Sequence, residues 1–215
     1  MKIPKNKILL FKNNANLSAK EHQFIDQMAE SNIPVSYWNL PFSKFEGSRD
    51  ILDFVTDYTK NTPENYKAGS GAIFAGTYGI GKTYGLCSLL KNAIMNGYSA
   101  YYTTLPDLSI YATSKNTKDE YLNLCTKSDF LVIDEVDARH ISLSDDARAF
   151  FGSLVEKIVR ERTQNKLPVF FATNHDSLDP VFDGQQARAI NSLLAPVTKT
   201  VIALGFDFRE KSRIK

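Results

Sequence analysis

Ala72-Ile73-Phe74-Ala75-Gly76-Thr77-Tyr78-Gly79-Ile80-Gly81-Lys82-Thr83 joins a short apolar run to a glycine-rich turn that ends in Lys-Thr. The apolar residues read as a buried strand. Beyond the turn, Leu86, Leu89, Leu90, Ala93 and Ile94 recur at helical spacing. A glycine turn between strand and helix aims successive backbone N–H groups at a phosphate chain, at the positive end of the helix dipole. In that context Lys82 reaches the β- and γ-phosphates and the Thr83 hydroxyl holds Mg²⁺. A bare Gly-x-x-x-x-Gly-Lys-Thr string arises by chance, and the flanking strand and helix are what separate this one from a surface turn. Gly76, Thr77, Tyr78, Gly79, Ile80, Gly81, Lys82 and Thr83, with Tyr84 following, form the expected contact set for a nucleoside triphosphate, taken as ATP with Mg²⁺.

A chain of 215 residues suffices for one α/β domain and is too short for two full ones. Hydrophobic and charged contents of 43% and 23% are those of an ordinary globule. A formal charge of +2 is too small to announce nucleic-acid binding. The ends are more basic: Lys2, Lys5, Lys7 and Lys12 at one, Arg209, Lys211, Arg213 and Lys215 at the other. Such ends attract phosphate backbones or are simply solvated tails. Cys87 and Cys125 lack metal-ligand spacing, which fits a reducing compartment. No apolar run approaches the ~20 residues of a membrane span, and no secretory signal is present. The expectation is a cytoplasmic protein without a membrane partner.

Ser18 followed by Glu21 predicts a capping box opening a helix to about Glu30, ended by Ile33-Pro34. Aromatic residues Tyr37, Trp38, Phe42 and Phe45 follow, then a predicted helix over 48–59 with Ile51, Leu52, Phe54 and Val55 turned inward. A loop over 61–65 leads to the core. From Gly69 onward, strand and helix signals alternate, with strands predicted at 72–75, 99–103, 129–134, 168–173 and 199–203, which implies a mostly parallel five-stranded sheet. A helix over 145–162, capped by Ser142 and Asp145, is expected to bury Ala147, Phe150, Leu154 and Ile158. The fold expected is a three-layer α/β/α P-loop domain, residues 36–215, preceded by a short helical extension, 1–35, without a large lid.

Two further strands end in polar residues. Phe130-Leu131-Val132-Ile133-Asp134-Glu135 carries two acids to the edge where ligands of such sheets bind. Asp134 is placed to hold Mg²⁺, and Glu135 to polarise an attacking water; Asp137 reads as a loop carboxylate. Val169-Phe170-Phe171-Ala172-Thr173-Asn174 ends in an amide able to sense a γ-phosphate, although a strand-ending Asn is also a turn former. His140 and His175 have no paired ligand spacing, and no metal is assigned to them.

The order of these motifs resembles the AAA+ ATPases, and within them the DnaC-type helicase loaders and IstB-type transposition ATPases. Pro34-Val35-Ser36-Tyr37-Trp38, Gly81-Lys82-Thr83-Tyr84-Gly85-Leu86, the stretch from Arg160 to Asn174 and Gly205-Phe206-Asp207-Phe208-Arg209 carry the similarity, which runs from about residue 34 to 210. The resemblance implies ATP hydrolysis, ATP- or DNA-dependent homo-oligomers and single-stranded DNA as partner. It also implies a replicative helicase or a transposase as protein partner. By the same resemblance, DNA would contact Tyr111 to Lys115 and Arg139-His140. The family's closing Ser and Tyr are replaced here by Asp207 and Phe208. Where the family has Asp-Arg-Leu, with an arginine that reaches a neighbour's nucleotide, this chain has Asn191-Ser192-Leu193. Arg188, one turn upstream, is the expected substitute, with Arg160 and Arg162 as alternatives that also read as a basic helix end. The reading expected is an ATP-dependent DNA replication protein of the helicase-loader type assembling on single-stranded DNA, with transposition help on double-stranded DNA and a slow ATP-binding scaffold as alternatives. The short N-terminus and many Asn and Lys residues would suit a phage or mobile element.

Overall fold

The computed structural model describes residues 5–12, 17–111, 113–114, 116–137, 145–182, 184–205 and 207–208. The expected cap at Ser142, the DNA contacts Lys115, Arg139 and His140, and the basic residues Lys2, Arg209, Lys211, Arg213 and Lys215 lie outside them. Helices α1 (Lys5–Lys12), α2 (Ala19–Glu30), α3 (Arg49–Lys60) and α4 (Thr62–Ala68) precede β1 (Gly71–Ala75). Then follow α5 (Lys82–Met95), β2 (Ala100–Thr104), α6 (Leu105–Tyr111), α7 (Lys118–Lys127) and β3 (Phe130–Asp134). The chain continues through α8 (Asp145–Gln164), β4 (Val169–Thr173), α9 (Gly184–Leu194) and β5 (Thr198–Ile202). All strand pairs are parallel, in the order β2-β3-β4-β1-β5.

The expected strands are present to within a residue. Alternation along them divides the core into two layers. Phe74, Phe130, Val132 and Phe170 face α2, α3 and α5, whereas Ile73, Leu131, Ile133 and Phe171 face α6 to α9. This is the α/β/α sandwich the sequence predicts.

Local signals explain most helix ends. Ser18 and Glu21 form the expected capping box of α2. Residues 61–65, expected as a loop, instead begin α4. Pro63 in a first turn loses no hydrogen bond, and left-handed Gly69 (φ 68°) closes the helix. In α8 Leu154 and Ile158 are buried as expected and Phe150 is not, while the Ala147 side chain lies outside the described ones. Leu154, Val155, Ile158 and Val159 are buried, while Phe150 is 44% exposed with its ring edge against Phe151. Helical spacing alone fits adjacent stripes equally well; the residues buried here share a cluster with Ala187, Ile190 and Leu194 of α9, and the Gln186 amide donates to Ala149 O at 2.7 Å.

Residues 17–38 are built into the core. Ile25, Met28, Ile33 and Trp38 share a layer with Leu86 and Leu90. The segment also closes the sheet at β2: Tyr102 N donates to Ser31 O at 2.8 Å, and Asn32 Nδ2 donates to Tyr102 O at 3.0 Å.

Arg162 is wholly buried. Its guanidinium donates to Cys125 O (2.9 Å), Ser128 O (2.9 Å), Asp129 O (3.0 Å) and Pro168 O (2.7 Å). It therefore ties the end of α7 to the starts of β3 and β4. Burial lowers its pKa to about 10, so the group stays charged at neutral pH. This corrects its candidacy for contact with a neighbouring molecule, since no face of the side chain is available.

Arg162→Met would strand the carbonyls of Cys125, Ser128 and Asp129 at roughly 1–3 kcal/mol each before relaxation, while Pro168 O would keep the Leu131 N–H. The expected loss is at least about 3 kcal/mol. Arg162→Lys should recover only part of it, because one ammonium cannot reproduce the planar fork. Urea unfolding followed by circular dichroism measures both; wild-type stability in either variant would refute the anchoring role.

Candidate functional site

The carboxyl ends of β1, β3 and β4 lie side by side. Ala75 is in register with Thr173, and Ile133 with Phe171. The residues that follow each strand therefore converge on one cleft of about 650 Å³, large enough for a nucleotide. Lys82, Thr83, Asp134, Glu135, Asn174, Tyr84 and Phe208 all line it.

The phosphate loop runs from β1 to α5, whose first residue is Lys82. Gly76, Gly79 and Gly81 all have positive φ (139°, 72° and 95°). At Gly79 the constraint is double, because a Cβ would also collide with the Asp207 carboxylate. Phe208 N donates to Gly79 O at 3.1 Å, so the final described segment rests on the loop.

Lys82 is buried, and its ammonium donates to Gly76 O (2.7 Å), Thr77 O (2.6 Å) and Asn174 Oδ1 (2.9 Å). The Thr83 hydroxyl donates to Asp134 Oδ2 at 2.7 Å, and Tyr102 OH donates to the same oxygen at 2.9 Å. Burial, with the nearby Asp134 charge adding to it, raises the Tyr102 pKa far above its ordinary value, so it remains a donor. Asp134 Oδ1 accepts the Glu135 N–H at 2.7 Å. A hydroxyl against a carboxylate is an all-oxygen set of the kind Mg²⁺ takes. Thr83 and Asp134 fit that ion, which would supply charge neutralisation at phosphate oxygens when bound.

Glu135 is exposed at the rim with a left-handed backbone (φ 53°). That conformation costs a non-glycine residue about 1–3 kcal/mol in a sparsely populated region and is concentrated at functional sites.

Asp137, read from sequence as an ordinary loop carboxylate, is buried and accepts Asn174 Nδ2 at 3.2 Å and Tyr78 OH at 3.2 Å. It thereby holds the Asn174 amide with its oxygen toward Lys82. Tyr102 and Asp137 are the site residues that sequence reasoning missed. The recurrence of acid two positions after Glu135 was the available signal for Asp137; Tyr102 left none.

A wall of aromatic residues completes the cleft. Tyr84 packs against Tyr37, Phe42 and Phe45, and its hydroxyl donates to Pro41 O at 2.7 Å. Ser48 N donates to Ile80 O at 2.9 Å, fastening this segment to the phosphate loop.

The arginines separate by environment. Arg188 is exposed on α9 and makes no hydrogen bond or ion pair among the described residues. Arg160 pairs within its own helix with Glu156 at 2.6 Å. Of the proposed DNA contacts, Tyr111 is described, with its ring stacked on Tyr121 at 4.9 Å.

A strand, a glycine loop with a buried lysine, and a hydroxyl–carboxylate pair on adjoining strand ends define a P-loop nucleotide-binding protein. The family model for the ATPase family associated with various cellular activities (AAA) matches residues 72–192, more than half of the chain, and the chain belongs to that family. It is similar to the replicative helicase loader DnaI of Bacillus subtilis (strain 168), 26% identical over 127 residues. That match covers 58% of this chain and 39% of the relative, so the chain spans well under half of that protein's length. A crystal structure of DnaI superposes with a TM-score of 0.66 at 20% identity, covering 80% of this chain and 94% of that one. A DnaC helicase loader gives 0.58 at 20% identity, over 79% and 99% of the two chains. The replication initiator DnaA bound to AMPPCP and single-stranded DNA gives 0.59 at 19%, over 79% and 50%. The resemblance to AAA+ proteins of the helicase-loader group is borne out, and the structural neighbours share the fold. Among the described residues, no helix is long and apolar enough to cross a membrane.

Lys82→Ala should lower ATP affinity by at least about 100-fold, because charge-assisted contacts to phosphate are among the strongest available. Isothermal titration on protein with unchanged circular dichroism checks this. Undiminished affinity would remove Lys82 from the phosphate site.

Proposed function

We propose that this chain is an ATP-dependent DNA replication protein of the helicase-loader type. It binds and hydrolyses ATP with Mg²⁺ and assembles as a homo-oligomer on single-stranded DNA. The observation that carries this reading is the joined pair of contacts Lys82–Asn174 and Thr83–Asp134, which unites three distant motifs around one phosphate site. Family membership and the relatives matched support it.

In this reading the phosphate-loop N–H groups and Lys82 hold the β- and γ-phosphates. Lys82 exchanges its contacts with the Gly76 and Thr77 carbonyls for phosphate oxygens. Glu135 orients a water for in-line attack on the γ-phosphorus and accepts its proton as the bond to the β-phosphate bridging oxygen breaks. Asn174, steadied by Asp137, contacts the γ-phosphate and reports its loss. Arg188, exposed and unengaged among the described residues, reaches the nucleotide of a neighbouring protomer. Residues 1–35 are assigned docking to a replicative helicase, in the cytoplasm, through the face they do not turn toward the ATPase core, into which Ile25, Met28 and Ile33 are packed.

Glu135→Gln should retain nucleotide and Mg²⁺ binding while turnover falls by about 10²–10⁴-fold, the range general-base catalysis contributes. A phosphate-release assay at saturating single-stranded DNA measures this; wild-type turnover would move the base elsewhere. Arg188→Ala should bind ATP normally and lose hydrolysis, since an arginine acting in trans contributes ~10³–10⁵ in rate. Mixing it with Lys82→Ala should restore part of the activity, because the Lys82→Ala protomer supplies Arg188 to an intact neighbouring site. Silence in a mixture that still assembles would favour an ATP-binding scaffold, as would the Asn191-Ser192 departure. ATP-dependent affinity greater for double- than for single-stranded DNA would favour transposition help.

A further inference from the structure

The two edges of the sheet are treated differently. Ser31 and Asn32 occupy the β2 edge, whereas the β5 edge is bare among the described residues. Val197 O accepts Gly71 N, and Ala203 N donates to Ala75 O, both at 2.8 Å. In a parallel ladder alternate residues bond to the same neighbour. Residues 197, 199, 201 and 203 therefore face β1, and the peptide groups of Thr198, Thr200 and Ile202 point outward. No described residue hydrogen-bonds to those outward groups.

A groove of about 820 Å³, larger than the nucleotide cleft, runs along this edge. One side is β5; the other is α3, with Phe54 and Tyr58 between them and exposed Asp50, Asp53 and Asp57 along the wall. Those acids recur at helical spacing and span roughly 10 Å along α3, about the length of three strand residues. Lys199 is the one cation among the described lining residues, and Arg49 engages Asp53 at 3.0 Å. The groove is thus acidic as well as open to main-chain pairing.

We propose that the β5 edge docks an extended segment of a partner polypeptide, which adds a sixth strand and carries Lys or Arg at alternate positions facing Asp50, Asp53 and Asp57. Main-chain pairing to Thr198, Thr200 and Ile202 supplies affinity, and the acidic wall selects a basic partner. A second copy of this chain is a poor occupant. Antiparallel β5–β5 pairing brings two α3 helices together on the same sheet face, acid against acid, a repulsion that disfavours self-pairing. Neither Asp50, Asp53, Asp57 nor Thr200 lines the nucleotide cleft.

The test is fluorescence anisotropy of a labelled seven-residue peptide alternating Lys and Val, added to the full chain, with a Glu–Val peptide as control. The Lys–Val peptide should bind and the Glu–Val peptide should not. Thr200→Pro removes an outward N–H that β1 does not use, and proline is tolerated on an edge strand. It should weaken peptide binding at least about tenfold while ATP affinity is unchanged. A triple change of Asp50, Asp53 and Asp57 to Asn should do the same. Loss in the triple variant with full binding in Thr200→Pro would reduce the site to a charged surface and overturn strand addition. No binding of either peptide, or concentration-dependent dimerisation abolished by Thr200→Pro, would also overturn the proposal, the latter in favour of self-pairing. Binding that emerges only after residues 209–215 are deleted would assign the groove to the chain's own tail.

Discussion

Parallel pairing of β3, β4 and β1 is the constraint from which the rest of the molecule follows. It makes neighbours of strand ends that lie dozens of residues apart in the chain, and it requires both faces of the sheet to be covered. At the amino ends of β3 and β4, Arg162 satisfies the Ser128 and Asp129 carbonyls in the turn from α7 and gives Pro168 O a second donor beside the Leu131 N–H. At the carboxyl ends, the register delivers Asn174 to Lys82 and Asp134 to Thr83. One end of the sheet is closed by a buried charge, and the other gathers its polar groups around the nucleotide cleft.

The site is ordered by its own contacts. Lys82 rests on loop carbonyls, Thr83 and Tyr102 share one oxygen of Asp134, and Asp137 fixes the amide of Asn174. Polar groups arranged in this way require little reorganisation when an anionic ligand replaces their internal partners. Asn32 and Lys166 adopt positive φ elsewhere in the fold; the strained Glu135 backbone and the close approach of Asp207 to Gly79 also overrule local preference. These last two border the same cleft.

The five strands and the phosphate loop were legible because buried parallel strands are apolar runs and a phosphate loop needs glycine at fixed positions. Asp134, Glu135 and Asn174 were legible from their location at strand ends. Other features left weaker traces. Phe150 and Leu154 share a helical face, and only the packing of α9 decides which of them is covered. Pro63 marks a helix start as readily as a loop. Arg162 looks in sequence like any arginine near a helix end; its four carbonyl partners belong to segments brought together by the sheet. Asp137 acquires meaning only through Asn174, which is distant in sequence and adjacent in space.

The covering of β2 by Ser31 and Asn32 has a topological consequence. A sheet with a single unprotected margin can recruit one more strand and then stop, or pair with a copy of itself and stop. A sheet with two such margins can propagate, each molecule offering a surface to the next, the geometry from which open-ended fibres grow. Among the described residues, Ser31 and Asn32 thus limit the open margins of the sheet to the one along β5. A chain trimmed back to residue 36 would lose that limit together with Ile25, Met28 and Ile33 from its core, and its hazard would be indefinite stacking as well as reduced stability.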